Sequence, residues 1–230
     1  TVDKFGVHET FAKKFGAAGA NFQISATRLT YRGRGPWAYF EGTYTHAVCE
    51  TARKDVNALS LDGTITNAYV NSGYCQVQTG AALTNFYVQQ LNTQVDAIMV
   101  IESGVTGLTL GKVLAGYLEL NSALTTLDIA GSGRVKHATA AVTLTTANVY
   151  PGGLLMVEEG TVTTTNLYGG TIDTGNSGSI VTISTINAFA GSTVRLRRGT
   201  ILGGAVTLNQ HGPNVELDID PSIAVTLNLN

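Results

Sequence analysis

Apolar and polar residues alternate along most of the chain, beginning near residue 57. Segments such as Val142–Leu144, Ile180–Ile183 and Val194–Leu196 place apolar side chains at every second position. A period of two puts these side chains on one face of a strand, whereas a helix needs a period near 3.6. Glycine and asparagine separate the alternating segments. The pattern therefore predicts many short β-strands joined by tight corners.

A short motif recurs in this region, in which an asparagine is followed by an apolar residue and then by an aromatic residue. The asparagines of the motif are Asn67, Asn85, Asn148, Asn166 and Asn187. Successive asparagines are 18, 63, 18 and 21 residues apart, and 63 is three times 21. The alternating triplets Leu108–Leu110 and Leu127–Ile129 fall at about the expected places inside the long gap. A unit of roughly 20 residues therefore repeats.

Short strands that recur at this interval predict an all-β fold, a single-stranded parallel β-helix in which each coil lies on the coil before it. Eight or nine coils at about 4.8 Å each would form a rod roughly 40 Å long. The asparagine column would form either an amide ladder or a set of left-handed corner residues. A β-sandwich is the alternative, because it also uses short alternating strands, but the fixed register of the motif favours the β-helix.

The composition changes near residue 56. Residues 1–56 hold eight basic and five acidic residues and nine of the seventeen aromatic residues, whereas residues 57–230 hold six basic and eleven acidic residues. We therefore expect a mixed N-terminal anchoring segment at 1–56 and a β-helix domain at 57–230. The segment is expected to contain a short helix around His8–Phe15, an extended stretch at 21–30 and a strand at Trp37–Phe40.

The N-terminal segment has more aromatic surface than so short a piece can bury alone, so we expect it to pack on the rest of the chain or on a partner. Its aromatic and basic side chains are the candidate anchor residues. They are Phe11, Phe15, Arg32, Arg34, Trp37, Tyr39 and Phe40.

Charge and composition limit the remaining function classes. The formal net charge is -2 and 13% of residues are charged, which gives no broad electrostatic case for nucleic acid or an anionic membrane as a partner. Asp3, Lys4 and Glu9 stand where a secretory signal needs apolar residues. The long uncharged stretches, such as His137–Val157, are rich in Thr, Asn and Gly and are broken by Pro151, so none matches a membrane span and we expect a soluble protein. Cys49 and Cys75 form at most one disulfide, and the sequence leaves open whether they do.

Motifs that could carry chemistry are weak. Asp173-Thr174-Gly175 spells the triad of aspartic proteases, but it occurs once among glycines and is expected to be a corner between coils. Scattered carboxylates could serve a sugar-cleaving site; they are Glu158, Glu159, Asp173, Asp218 and Asp220. An offset of 39 residues aligns Glu158 and Glu159 with Arg197 and Arg198, which indicates complementary surface charges. Together with Arg195, these arginines form a small basic cluster of the kind found on a solvated strand face.

The four histidines lack the spacing of a metal site; they are His8, His46, His137 and His211. No catalytic residue, cofactor or metal is therefore expected.

The repeat, with its asparagine motif and coil pattern, resembles the β-helical proteins of bacteriophage particles: tailspikes, tail fibres and capsid decoration proteins. The likeness covers about three quarters of the chain. It implies a virion location, a homotrimer, and the major capsid protein or other virion proteins as partners.

The leading hypothesis is a non-enzymatic structural protein of a phage virion, most specifically a capsid decoration or cement protein. The alternative is a tail spike or fibre component that binds or cleaves host polysaccharide; exposed aromatics on one face and paired carboxylates would favour it. A bacterial surface protein or adhesin fragment is a third, less favoured reading.

Overall fold

The computed structural model describes residues 13–15, 24–32, 38–52, 59–92, 94–175, 179–197 and 201–229. This part of the chain contains sixteen β-strands and no helix. The strands are β1 (Lys13–Phe15), β2 (Ile24–Tyr31), β3 (Ala38–Glu50), β4 (Leu59–Val77), β5 (Ala82–Val88), β6 (Ala97–Ile101), β7 (Leu110–Leu120), β8 (Leu124–Val149), β9 (Leu154–Leu167), β10 (Thr171–Asp173), β11 (Ile180–Phe189), β12 (Thr193–Leu196), β13 (Ile201–Leu202), β14 (Val206–His211), β15 (Glu216–Ile219) and β16 (Val225–Leu229).

Each strand lies parallel to a strand of the next coil. For example, β3 pairs with β4, β8 with β9, β9 with β11, and β14 with β16. The coils form a β-solenoid of about nine turns. The predicted parallel β-helix is confirmed. Because every strand pair in the described residues is parallel, the antiparallel β-sandwich is excluded.

The interior is one hydrophobic cluster that extends from Ala26 to Leu208. Inward side chains alternate within each strand, but the inward spacing becomes three at a recurring corner, for example from Leu144 to Ala147 and from Ile183 to Ile186. Parallel registers place these residues in columns, so each coil covers the apolar side chains of the coil below. Burial of these columns drives the stacking.

One inward column has a large side chain between two small residues. Phe86 lies above Ala68 and below Gly111, and a Cβ atom at residue 111 would be 2.2 Å from Cζ of the Phe86 ring. The missing side chain of Gly111 therefore provides the space for Phe86.

Close contact between coils also requires glycine at some corners. Gly152 has a φ of 81°, and a Cβ atom there would lie 2.2 Å from the carbonyl oxygen of Gly131 on the preceding coil. A side chain at this position would both strain the backbone and separate the coils.

The N-terminal region differs from its prediction at the expected helix. Lys13–Phe15 is a strand that pairs with β3, and the remainder of the helix expected at His8–Phe15 lies outside the described residues. A helix cannot form at Lys13–Phe15 because its backbone groups pair with a neighbouring coil. The extended stretch and the strand after Trp37 are confirmed as β2 and β3.

The coils also begin before residue 57, because β2 pairs with β3 and β3 pairs with β4 in continuous parallel register. The aromatic residues Tyr31, Phe40 and Tyr44 are buried inside these coils. Because β3 stacks on β4, this part of the segment packs on the rest of the chain, which is one of the two expected alternatives. Whether residues 1–56 also bind a partner stays a prediction.

Candidate functional site

The asparagine motif forms an amide ladder on the outer face of the solenoid. In the C-terminal coils the Nδ2 atom of each asparagine donates to the side-chain oxygen of the residue one coil below. The donor–acceptor distances are 2.9 Å for Asn148 to Asp128, 3.0 Å for Asn166 to Asn148, and 2.8 Å for Asn187 to Asn166, Asn209 to Asn187 and Asn228 to Asn209. The amide-ladder prediction is confirmed. Left-handed corners are not the role of these asparagines, since the described non-glycine residues with positive φ are Gln90 and Asn214.

A second, shorter ladder occupies the N-terminal coils, where Asn85 donates to Asn67 at 3.1 Å. The two ladders do not share one column. Asn85 pairs with Leu110, whereas Asp128, the base of the C-terminal ladder, pairs with Lys112 two residues further along the strand. Lys112 Nζ lies 3.6 Å from Asp128 Oδ2 at this shift. In the long sequence gap between Asn85 and Asn148 the ladder thus moves two positions along the strand, while the pairing from Asn85 through Leu110 to Thr126 stays in register.

Aromatic rings stack beside each ladder. Ring centroids are 5.3 Å apart for Tyr150 and Tyr168, 4.9 Å for Tyr168 and Phe189, and 5.0 Å for Phe189 and His211. In the N-terminal coils Tyr69 and Tyr87 stack at 4.8 Å. Stacked rings cover each other's faces and present their edges to solvent. Because a sugar ring packs against an aromatic face, the inner members of these stacks are poor sugar platforms.

A groove opens beside Tyr69, on the N-terminal coils. Its volume is about 280 Å³, and it is lined by Arg28, His46, Val48, Tyr69, Asn71 and Gln89. One wall contains a third ladder, in which Gln89 Nε2 donates to Asn71 Oδ1 at 2.8 Å and Asn71 Nδ2 donates to Glu50 Oε1 at 3.0 Å. Sequence reasoning missed this ladder, although its members are 21 and 18 residues apart, the same interval as the asparagine motif.

Positive charge exceeds negative charge at the groove. Burial would raise the pKa of Glu50, but hydrogen bonds from Arg32 and Asn71 outweigh burial and lower this pKa. Arg32 Nε lies 2.6 Å from Glu50 Oε2, so Arg32 compensates the carboxylate. Arg28 adds a second positive charge nearby. The groove therefore offers amide groups and a surplus cation, which suit a polar or anionic ligand, but its six lining residues do not pair a nucleophile with a base.

The candidate anchor residues have different positions. Phe11, Arg34 and Trp37 lie outside the described residues, and Phe15 is described only through its backbone pairing with Phe40. Phe40 is fully buried among the core residues of the solenoid. The Tyr39 hydroxyl donates to Asp62 Oδ2 at 2.6 Å; burial and this hydrogen bond raise its pKa. A partner role for Arg32 and Tyr39 stays a prediction.

Three of the candidate carboxylates lie beside cations, as expected for complementary surface charges. Arg197 binds both oxygens of Asp173, at 2.7 Å and 2.6 Å, and this pairing lowers the Asp173 pKa. Glu158 Oε2 lies 3.0 Å from Lys136 Nζ and raises the pKa of that lysine. Asp218 lies opposite Arg195 in strand register. The 39-residue offset agrees with the strand register, in which Leu155 and Val194 both pair with Ile172 of the coil between them. The direct ion pairs join adjacent coils, so opposite charges alternate along this face.

The Asp173-Thr174-Gly175 triplet is a corner, as predicted. Asp173 ends β10, its Oδ1 accepts the amide hydrogen of Gly175 at 2.9 Å, and Gly175 has a φ of 63°. This geometry is an Asx turn.

His137 is buried with its Nδ1 atom 3.3 Å from the Leu120 carbonyl oxygen, and burial lowers its pKa. Among the described residues, no three side chains of the types that bind metals lie together. Within the same ranges, no helix is long and apolar enough to cross a membrane.

Comparisons with known proteins add no relatives: no protein-family model matches the chain, and no curated protein or solved structure matches it either.

Proposed function

We propose that this protein is a non-enzymatic structural protein whose β-solenoid acts as a rigid rod in a larger assembly. The observation that carries this proposal is the single hydrophobic cluster from Ala26 to Leu208, which continues through parallel coils without an interruption. Such a stack resists bending because each coil is held to its neighbours by backbone hydrogen bonds and by side-chain ladders. Mechanical support or display needs this property, whereas catalysis does not.

In its specific form, the proposal is a decoration or cement protein on a phage capsid, present as a homotrimer and bound to the major capsid protein. Its support is the resemblance of the repeat to β-helical virion proteins. The described part of the N-terminal region supplies Arg32 and Tyr39 as candidate contacts, since both reach the surface at least in part.

Location within a particle tests this form of the proposal. Particles released from cells that carry the gene are purified and labelled with an antibody against the chain for electron microscopy. Label over the capsid surface is the expected result. Label at the tail would favour the tail spike or fibre alternative over a capsid decoration protein. Particles without label would overturn the virion assignment. Light scattering of the purified chain should give three times the monomer mass.

Glycan binding is the second candidate, and the groove beside Tyr69 is the observation that favours it. Arg28 and the amides of Asn71 and Gln89 could hold the carboxylate and hydroxyl groups of an acidic polysaccharide. Isothermal titration with acidic polysaccharides should then show binding that Arg28→Ala weakens at least tenfold. Arg134→Ala is the matched control, because Arg134 is an exposed arginine outside this groove.

Cleavage is tested separately by incubation with the same polysaccharides. The structural proposal expects no turnover by the wild-type chain. Turnover that is lost in Glu158→Gln would defeat it and would place a catalytic carboxylate on the Lys136 side of the rod.

A further inference from the structure

Cys49 and Cys75 are brought together inside the solenoid, although 25 residues separate them along the chain. Cys49 belongs to β3 and Cys75 to β4, which turns at Gly73, where φ is 78°. The Cys49 Sγ atom lies 3.6 Å from the Ser72 carbonyl oxygen and 3.8 Å from that of Tyr74, the residue before Cys75. The corner at Gly73 therefore places both sulfurs on the same side of the interior.

Both side chains are free thiols and each is 1% exposed. The neighbouring Cys49 side chain and burial both raise the pKa of Cys75 well above its ordinary value. A raised pKa keeps the thiolate scarce at neutral pH, so the folded dithiol reacts slowly. Exchange is faster at alkaline pH or while the coil is still folding.

We propose that Cys49 and Cys75 are a redox pair that forms an intramolecular disulfide between β3 and β4 when it meets an oxidising small-molecule disulfide such as glutathione disulfide. One cysteine thiolate attacks the glutathione disulfide, forms a mixed disulfide and releases one glutathione thiolate. The second cysteine attacks the protein sulfur of the mixed disulfide and releases the second glutathione. The two protein thiols lose two electrons and two protons, and glutathione disulfide is reduced to two glutathione thiols.

The disulfide would close a loop of about one coil. It would restrict the unfolded chain at the junction between the aromatic-rich first coils and the rest of the rod. The oxidised protein should therefore melt at a temperature roughly 6–12 °C higher than the reduced protein, and dithiothreitol should reverse the shift.

The test uses the full chain, incubated with glutathione disulfide at pH 8.5 and, in a parallel arm, refolded from denaturant in the same mixture. Thiols are then counted with Ellman's reagent after unfolding, and the intact mass is measured. We expect the count to fall from two to zero, with a mass loss of two hydrogen atoms and no glutathione adduct. Cys49→Ser and Cys75→Ser should each show no melting shift under the same conditions.

Two results would overturn the proposal. One is a chain that keeps both thiols titratable in both arms. The other is thiols consumed only as glutathione adducts or as disulfide-linked dimers. Because these readouts come from the wild-type chain, they remain decisive even if a serine variant folds poorly.

Discussion

Aromatic residues lie on opposite sides of the sheet in the first and the last coils. In β2 and β3, Tyr31, Phe40 and Tyr44 point inward and are at most 1% exposed. In β9 and β11 and the corners beside them, Tyr168 and Phe189 lie outside, where their rings stack at 4.9 Å. One residue class therefore fills the interior in one region and coats the surface in the other.

The difference shows that strand parity, rather than composition, decides where an aromatic side chain goes. Parity is reset at each corner and at each register irregularity, such as the shift after Val113 and the one after His137. A single inserted residue moves all the following side chains to the opposite face. The first coils thus gain a bulky aromatic core, and the later coils combine an aliphatic core with an external stack.

The largest effect should come from truncating an aromatic side chain on each side of the sheet. Phe40→Ala removes a fully buried ring and should lower the free energy of unfolding by about 3–5 kcal/mol. Phe189→Ala removes stacking on the outer face and should cost about 0.5–1.5 kcal/mol. Urea denaturation followed by circular dichroism measures both losses. Equal losses would contradict the assignment of the two rings to opposite faces.

Overpacking the aromatic interior gives the next effect. Gly111→Ala places a Cβ atom against the Phe86 ring and should cost about 1–3 kcal/mol. Adding Phe86→Leu should recover part of this loss, which gives a favourable coupling in a double-mutant cycle. Gly204→Ala is the control, because no atom lies within 4 Å of a Cβ built there. Additive losses at residues 86 and 111 would show that the Phe86 ring does not depend on the space left by Gly111.

Much of the fold could be predicted because the asparagine motif recurs at a regular interval, next to the alternating apolar residues of a strand. Asn67, Asn85 and Asn148 indicated the coil interval, the parallel stacking and the ladder. The two-position displacement of the ladder between Asn85 and Asp128 could not be predicted, since neither Leu110 nor Lys112 matches the motif.

The candidate site was less predictable than the fold. The Glu50, Asn71 and Gln89 ladder has the repeat interval but mixes three residue types, so no short motif identifies it. The proximity of Cys49 to Cys75 depends on the corner at Gly73, and no sequence pattern predicts this corner. The burial of Phe40 depends on which face of its strand points inward, which the sequence of this segment does not indicate.

Interrupting the C-terminal ladder tests whether the outer face contributes to stability. Asn166→Ala removes one amide hydrogen bond to Asn148 and one from Asn187, and should cost about 1–2 kcal/mol. Asn228→Ala removes a single bond at an exposed position and should cost less than about 1 kcal/mol. Thermal unfolding of the two variants compares them directly. A larger loss at Asn228 than at Asn166 would mean that the ladder adds little to the backbone pairing.

The smallest effect at neutral pH should come from His137, which lies at the junction between the two regions. Burial lowers its pKa in the folded chain, although the Leu120 carbonyl group opposes this effect, and in the unfolded chain the pKa is about 6.5. Above pH 6.5 the imidazole is neutral in both states and contributes nothing to the pH dependence. As the pH falls below this value, the unfolded chain takes up a proton that the folded chain does not yet bind, so the free energy of unfolding decreases until the folded pKa is passed. Denaturation midpoints measured between pH 7.5 and pH 5 should decrease for the wild type and flatten in His137→Gln. If the midpoint of His137→Gln still decreased with falling pH as in the wild type, the acid sensitivity would belong to another group.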